Sequence, residues 1–171
     1  EVVPATTTDE HDAVDFLKQR GLEPAFIRHA DGSVIPARGM SQGKAVLLRS
    51  GQAGTALWEA VGHEVAHATG FDRGAPIDET MIGHAARRYA AKAGARRQAE
   101  LAADPVEQRR EGIAQIVGEF MSEPKFRYLV KQSAPSLWQR LRDGILKAVG
   151  KFTPKDEASR AALEMLRQTQ G

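Results

Sequence analysis

The chain has no cysteine among its 171 residues. That excludes a disulfide scaffold and any thiolate metal site, and it fits a reducing compartment. No apolar run approaches about 18 residues, so no membrane-spanning helix is expected, and no secretory signal is expected in this stretch. Charge of one sign is not in excess: 24 basic side chains stand against 22 acidic ones, a net +2. Global charge therefore does not announce a nucleic-acid binder. The first residue is Glu1 rather than Met, so the chain is expected to be processed, or to be part of a longer polypeptide. What is present is an ordinary globular composition, 42% hydrophobic and 27% charged. A chain of this length buries about 68–70% of its unfolded surface and holds a core without a staple. It makes one domain, or one domain with a helical extension.

Against that background five residues stand out, His63-Glu64-Val65-Ala66-His67. On a helix, two histidines four apart lie on one face, with about 5–6 Å between their Cβ atoms. Both imidazoles then reach one Zn²⁺ at about 2.0–2.1 Å. The glutamate after the first histidine is placed to orient a water activated by the metal and to take its proton. The surrounding run, Thr55–Thr69, has Leu57, Trp58, Val61, Val65 and Ala68 at helical spacing, and Gly70 follows as a stop.

The rest of the chain reads as short strands, then helices. Residues 1–8 look like a tail or linker. Thr8 caps a helix running to about Arg20. Ala25–His29, Ser33–Pro36 across an Asp31-Gly32 hairpin turn, and Ala45–Leu48 are expected as three strands. After the motif helix, helices are expected over 78–93, 106–121, 125–132, 135–149 and 156–168, with Arg96–Ala103 as a connection. Asp78 and Pro105 serve as start signals. This order predicts an α+β fold: a small antiparallel or mixed sheet packed on the motif helix, followed by several helices. The domain is expected over 9–133, with 134–171 as a helical extension packed on it. The strand Ala45–Ser50 is the candidate to line a substrate cleft.

A catalytic zinc site needs a third protein ligand. The run after the motif places Arg73 where a ligand would follow H-x-x-G-x-x, and arginine cannot ligate. Asp72 is one residue out of step. His84 sits on the next helix among Gly83, Ala85 and Ala86. Glu111 shares a helix face with Ala114, Gln115, Gly118 and Ser122, small enough to press on the motif helix. Glu119 lies about 80° around that helix, as ligand or as partner of a histidine N–H. The residue types leave these routes open.

The runs GHEVAHATG and EGIAQIVGEF together resemble the zincin-like metallopeptidase domains of large polyvalent proteins of phages and other mobile elements. They are also similar to ArdC-type antirestriction proteins and ImmA/IrrE peptidases. The resemblance covers roughly residues 40–150. It implies a zincin-like fold and a Zn²⁺ cofactor held by His63, His67 and Glu111, the glutamate of an E-x-x-A pattern with Ala114. It implies Glu64 as general base. It further implies peptide-bond hydrolysis in the host cytoplasm, on a host protein or on the parent polypeptide. Glu111 follows His67 by 44 positions, a long spacing for such a domain.

Three further features carry expectations. Tyr89 or Tyr128 could offer a hydroxyl to an oxyanion. The stretch Ala85–Arg110 holds seven Arg or Lys against three acids. It reads as a solvated face, or as a nucleic-acid surface of an antirestriction-type module, although aromatic interleaving is absent. The helix at 135–152, with Trp138, packs on the domain or on a partner, which would suit an interaction module with a structural zinc site.

Overall fold

A computed structural model describes residues 1–33, 38–74, 77–133, 135, 136, 138–140, 142 and 143. The expected strand Ser33–Pro36 falls almost wholly outside these residues, as do most of the 135–149 helix and all of the 156–168 helix.

Four strands form one mixed sheet: β1 (Val2–Val3), β2 (Glu23–Ile27), β3 (Gly39–Gln42) and β4 (Ala45–Arg49), in spatial order β1-β2-β4-β3. β2 runs antiparallel to β1 and parallel to β4, and β3 runs antiparallel to β4. The stretch taken for a tail therefore supplies an edge strand. The Asp31-Gly32 turn is present, closed by Gly32 N–H donating to His29 O at 2.9 Å. Its expected return strand lies almost wholly outside the described residues, and β2 is paired on both sides, with β1 and β4. The hairpin is instead β3–β4, closed through Gly43 at φ +58°.

Six α-helices follow in the described residues: α1 (Thr8–Lys18), α2 (Gly54–Ala68), α3 (Glu79–Lys92), α4 (Ala95–Ala102), α5 (Pro105–Ser122) and α6 (Pro124–Ser133). A 3-10 turn at Phe71–Arg73 follows α2. The observed fold is α+β. Local signals set most helix starts. Asp78 accepts from Thr80 and Met81 N–H, and Asp104 accepts from Glu107 N–H beside Pro105. Thr7 and Glu10 make a reciprocal capping box on α1, one residue earlier than the sequence suggested. Helix α4, expected as a connection, buries only Leu101, so its apolar stripe is too thin to read.

The start of α2 has no cap of its own. One acid of α1 serves it, and a second holds the turn that leads into it. Asp9 accepts from Gly54 N–H at 2.8 Å, and buried Glu10 accepts from Gly51 N–H at 3.2 Å. Burial pushes the Glu10 carboxyl up, and the N–H donors of Thr6, Gly51 and Thr7 more than reverse this, so it ends below its usual range.

Helix α2 touches the sheet through β3 and β4 and makes its most extensive contact with α5. The core joins Phe16 and Leu17, Phe26, Val46 and Leu48, Leu57 and Val61, and Ile113, Ile116 and Phe120, each at most 1% exposed. Trp138 joins it against Phe120 at 5.1 Å between ring centroids. Helices α2 and α5 cross where two glycines meet. A Cβ on Gly62 would stand 2.9 Å from Gly118 Cα, and one on Gly118 would stand 2.5 Å from the Glu59 carbonyl oxygen. Neither neighbour is the end of a flexible side chain, so the crossing cannot absorb a methyl group.

Gly118→Ala is therefore expected to destabilise the protein by about 1–3 kcal/mol, as overpacking does. Gly83, on an open stretch of α3 whose nearest atom would be Arg87 Nη1 at 4.0 Å, should behave oppositely. Gly83→Ala should be neutral or stabilising by up to roughly 1 kcal/mol. Urea midpoints of the two variants check this, and equal stability of Gly118→Ala and the parent would contradict the close crossing.

Candidate metal centre

One turn of α2 separates His63 and His67, and their rings meet edge-on at 4.9 Å. Antiparallel to them, α5 delivers Glu111. Its Oε1 accepts from His67 Nε2 at 2.6 Å, and its Oε2 accepts from His63 Nε2 at 3.2 Å. One ligand atom from each of the three residues lies within 4.8 Å of the others, and no other such group of three occurs among the described residues. Glu111 is 4% exposed and His63 6%. The donor set, two imidazole nitrogens and a carboxylate, is that of a catalytic His₂Glu zinc site.

Gly70 adopts φ +76° at the end of α2 and turns the chain into the Phe71–Arg73 3-10 turn. That reversal carries buried Asp72 back under the motif, where Oδ2 accepts from His67 Nδ1 at 2.7 Å. His67 thus faces a carboxylate from each ring nitrogen. Burial lowers its pKa, but Glu111 and then Asp72 outweigh burial and hold it up at about 9. The same contacts act on Glu111 in reverse. Burial raises its carboxyl, and hydrogen bonds from His63 and His67 bring it far below its ordinary value. A divalent cation bound by these side chains would have to displace the His67 proton.

Glu64 lies against β3. It is 5% exposed, accepts from the Ser41 hydroxyl, and keeps Oε2 without a hydrogen-bond partner. Burial raises its carboxyl above the usual range, against the pull of His63 and His67. A Cβ on Gly39 would meet Glu64 Cγ at 3.0 Å, so β3 passes directly over this side chain. His63, Glu64 and Tyr89 line one cleft of about 610 Å³. Tyr89 stacks on His63 at 5.0 Å between centroids. Burial raises the Tyr89 hydroxyl well above its usual value, and neighbouring Glu111 adds to this against Arg97. It stays protonated, and its hydroxyl donates to Glu111.

Other expected site residues lie elsewhere. Glu119 is gripped by Arg88 through two 2.7 Å bonds and by Gln115 at 3.0 Å, and neither histidine is among its partners. His84 is exposed and meets Arg87. Tyr128 is 62% exposed. The cleft strand also differs: β4 is paired on both sides, so it has no free edge, and β3 holds the edge beside Glu64. Much of the basic stretch is engaged internally. Arg88, Lys92, Arg97 and Arg109 face Glu119, Glu59, Glu107 and Glu79.

Three contributors escaped sequence reasoning. Asp72 was weighed only as a misplaced ligand. Arg97, from α4, reaches Glu107 at 2.8 Å and Glu111 at 3.8 Å and donates to Tyr89. Glu59, one turn before His63, is buried beneath Lys92 and Gln115. The spacing Glu59-His63-His67 on one helix face was the available signal for it. Compared with known proteins, the chain matches no family model, no curated protein and no solved structure.

Asp72→Asn should weaken zinc affinity by about 10–100-fold, the usual effect of losing a carboxylate behind a ligating histidine. Glu119→Gln should leave that affinity within a fewfold. Competition titration with a chromophoric chelator distinguishes the two, and equal effects would contradict the assignment. Because His67 holds its proton up to about pH 9, metal binding below that pH releases it. Zinc affinity should therefore rise with pH up to about 9 and level off above, which the same titration reads across pH.

Proposed function

We propose that this chain is a zinc-dependent peptidase. One observation carries the reading. His63, His67 and Glu111 converge as a His₂Glu donor set, and Glu64, which keeps a buried oxygen without a hydrogen-bond partner, lines the same cleft as His63. The burial of His63 and Glu111 and the orientation of half-buried His67 by Asp72 fit a metal site better than a chance surface cluster. Zn²⁺ held there would supply Lewis acidity, polarising a scissile carbonyl and bringing the pKa of water towards about 7.

The chain's own residues account for the remaining steps. Glu64, its carboxyl raised by burial, takes the proton of the attacking water and passes it to the leaving amine. Tyr89, protonated and braced by Arg97, donates to the oxygen that gains charge as the carbonyl becomes tetrahedral. The open edge of β3 receives the substrate backbone as an added strand and lays it across Glu64. The zincin-like assignment, a host-protein or parent-polypeptide substrate and a cytoplasmic site of action belong to this proposal. Among the described residues no helix is long and apolar enough to cross a membrane. The internal pairing of much of the basic stretch gives a nucleic-acid module less support.

Purified protein reconstituted with zinc should carry about one ion per chain and cleave unstructured protein such as casein. Glu64→Gln should keep the ion and the fold and lose at least about 100-fold in rate, the scale of general-base catalysis. Glu111→Ala should lose zinc. Absence of stoichiometric metal after reconstitution, or full activity in Glu64→Gln, would sink the reading.

A further inference from the structure

Glu64 is a long side chain whose chemistry requires one position. Left alone, its torsions would spread the carboxylate over several rotamers. β3 restricts it. A Cβ on Gly39 would stand 3.0 Å from Glu64 Cγ and 3.3 Å from its Oε1. The stem therefore passes beneath a residue with no side chain, and Oε1 is turned towards the strand. Ser41 is two positions along β3 and so lies on the same face. Its hydroxyl donates to Glu64. Glu64 Oε2 is buried and has no hydrogen-bond partner, so the bond falls on Oε1 and leaves the second oxygen free.

The strand that carries Ser41 is itself fixed at both ends. At its start, Arg38 O accepts from Arg49 N–H at 2.9 Å and from Gln52 Nε2 at 3.0 Å, and Gln52 also donates to Arg49 O at 3.0 Å. At its far end the Gly43 turn returns the chain into β4. Between them Ser41 stands in register with Val46, which is fully buried. The hydroxyl is thus held in place against α2 by the sheet. Gly39 lines the cleft together with His63 and Glu64, and Ser41 does not. Ser41 is placed to act on Glu64 from behind, not on a molecule bound in the cleft.

We propose that Ser41 is a positioning residue for Glu64: its hydroxyl anchors one carboxylate oxygen to β3 and leaves the other free to take a proton. The catalytic consequence rests on the peptidase reading, and the anchoring itself does not. A hydrogen bond to a carboxylate is charge-assisted and strongly directional. A reacting group misplaced by about 1 Å loses on the order of 100-fold in rate, so the loss of one such anchor is felt in the chemical step and not in binding.

Two variants of nearly equal shape test it. Ser41→Thr keeps the hydroxyl and Ser41→Val replaces it with a methyl group, and both β-branched side chains suit a strand. With zinc supplied and a fluorescence-quenched peptide as substrate, Ser41→Val should lose about tenfold or more in kcat while KM stays within about twofold. Ser41→Thr should stay within about threefold of the wild type in both, and neither variant should change zinc affinity, since Ser41 touches no ligand. Equal kcat in all three proteins, equal losses in the two variants, or a loss confined to KM would overturn the proposal. The second measurement needs no activity. In crystal structures of the wild type and both variants, the Glu64 carboxylate should keep its place against β3 in Ser41→Thr and leave it in Ser41→Val. An unmoved carboxylate in Ser41→Val overturns the anchoring. A carboxylate displaced only in Ser41→Val, in a protein that cleaves no peptide, overturns the peptidase reading and leaves the anchoring standing.

Discussion

The close crossing of α2 and α5 is the constraint on which the site depends. Gly62 and Gly118 let two backbones meet almost without side chains between them. Only at that separation does a carboxylate two turns before Gly118 reach across to His63 and His67 together. Around this contact, buried polar groups are matched in sequence along both helices. Glu111 serves the histidines, and Gln115 bridges Glu59 and Glu119. Buried charge of this kind persists only when each group has a partner. Cations from α3 provide partners from outside, Arg88 for Glu119 and Lys92 for Glu59. Glycine is thus structural at the crossing, and what it permits is electrostatic.

The centre was legible in the sequence in proportion to how local its determinants are. His63, Glu64 and His67 announce themselves because four-residue spacing on a helix fixes their geometry without reference to the rest of the chain. Glu111 was one of several routes the residue types left open, its face of Ala114, Gln115, Gly118 and Ser122 suiting a tight helix contact, and only the family resemblance singled it out. Asp72 was not. Its role follows from a left-handed Gly70 and a single 3-10 turn, a backbone reversal that residue type alone does not specify. Glu119 was placed near the histidines by its angle on the helix, and the structure turns it to Arg88, since that angle says nothing about which neighbour stands there. Arg97 depends on α4, whose one buried residue leaves no periodicity to read.

The fold follows the same pattern. Caps at Asp78 and Asp104 and the stop at Gly70 act within a few residues, and the helices they bound were readable. Strand pairing is non-local. The sequence Gly39-Met40-Ser41-Gln42 has little apolar alternation, yet it forms the strand over Glu64 because β4 offers it an edge. The Asp31-Gly32 turn looked like a hairpin because turn chemistry is local, whereas the partner of β2 is chosen by β1 and β4, which lie far apart in sequence.

The cap that Asp9 provides for the start of α2, and the hold of Glu10 on the turn before it, make the histidine helix a dependent part rather than a portable one. The hydrogen bonds join residues 45 and 41 positions apart, and their acceptors are in place only once α1 has docked. A fragment beginning at β4 would contain both histidines, both flanking glutamates and Asp72, but its first helical turn would present bare N–H groups to solvent. Docking of the amino-terminal helix and completion of the centre are then coupled events in assembly. A protease cut or deletion before residue 20 would reach the histidines across two elements of structure, without touching any residue near them.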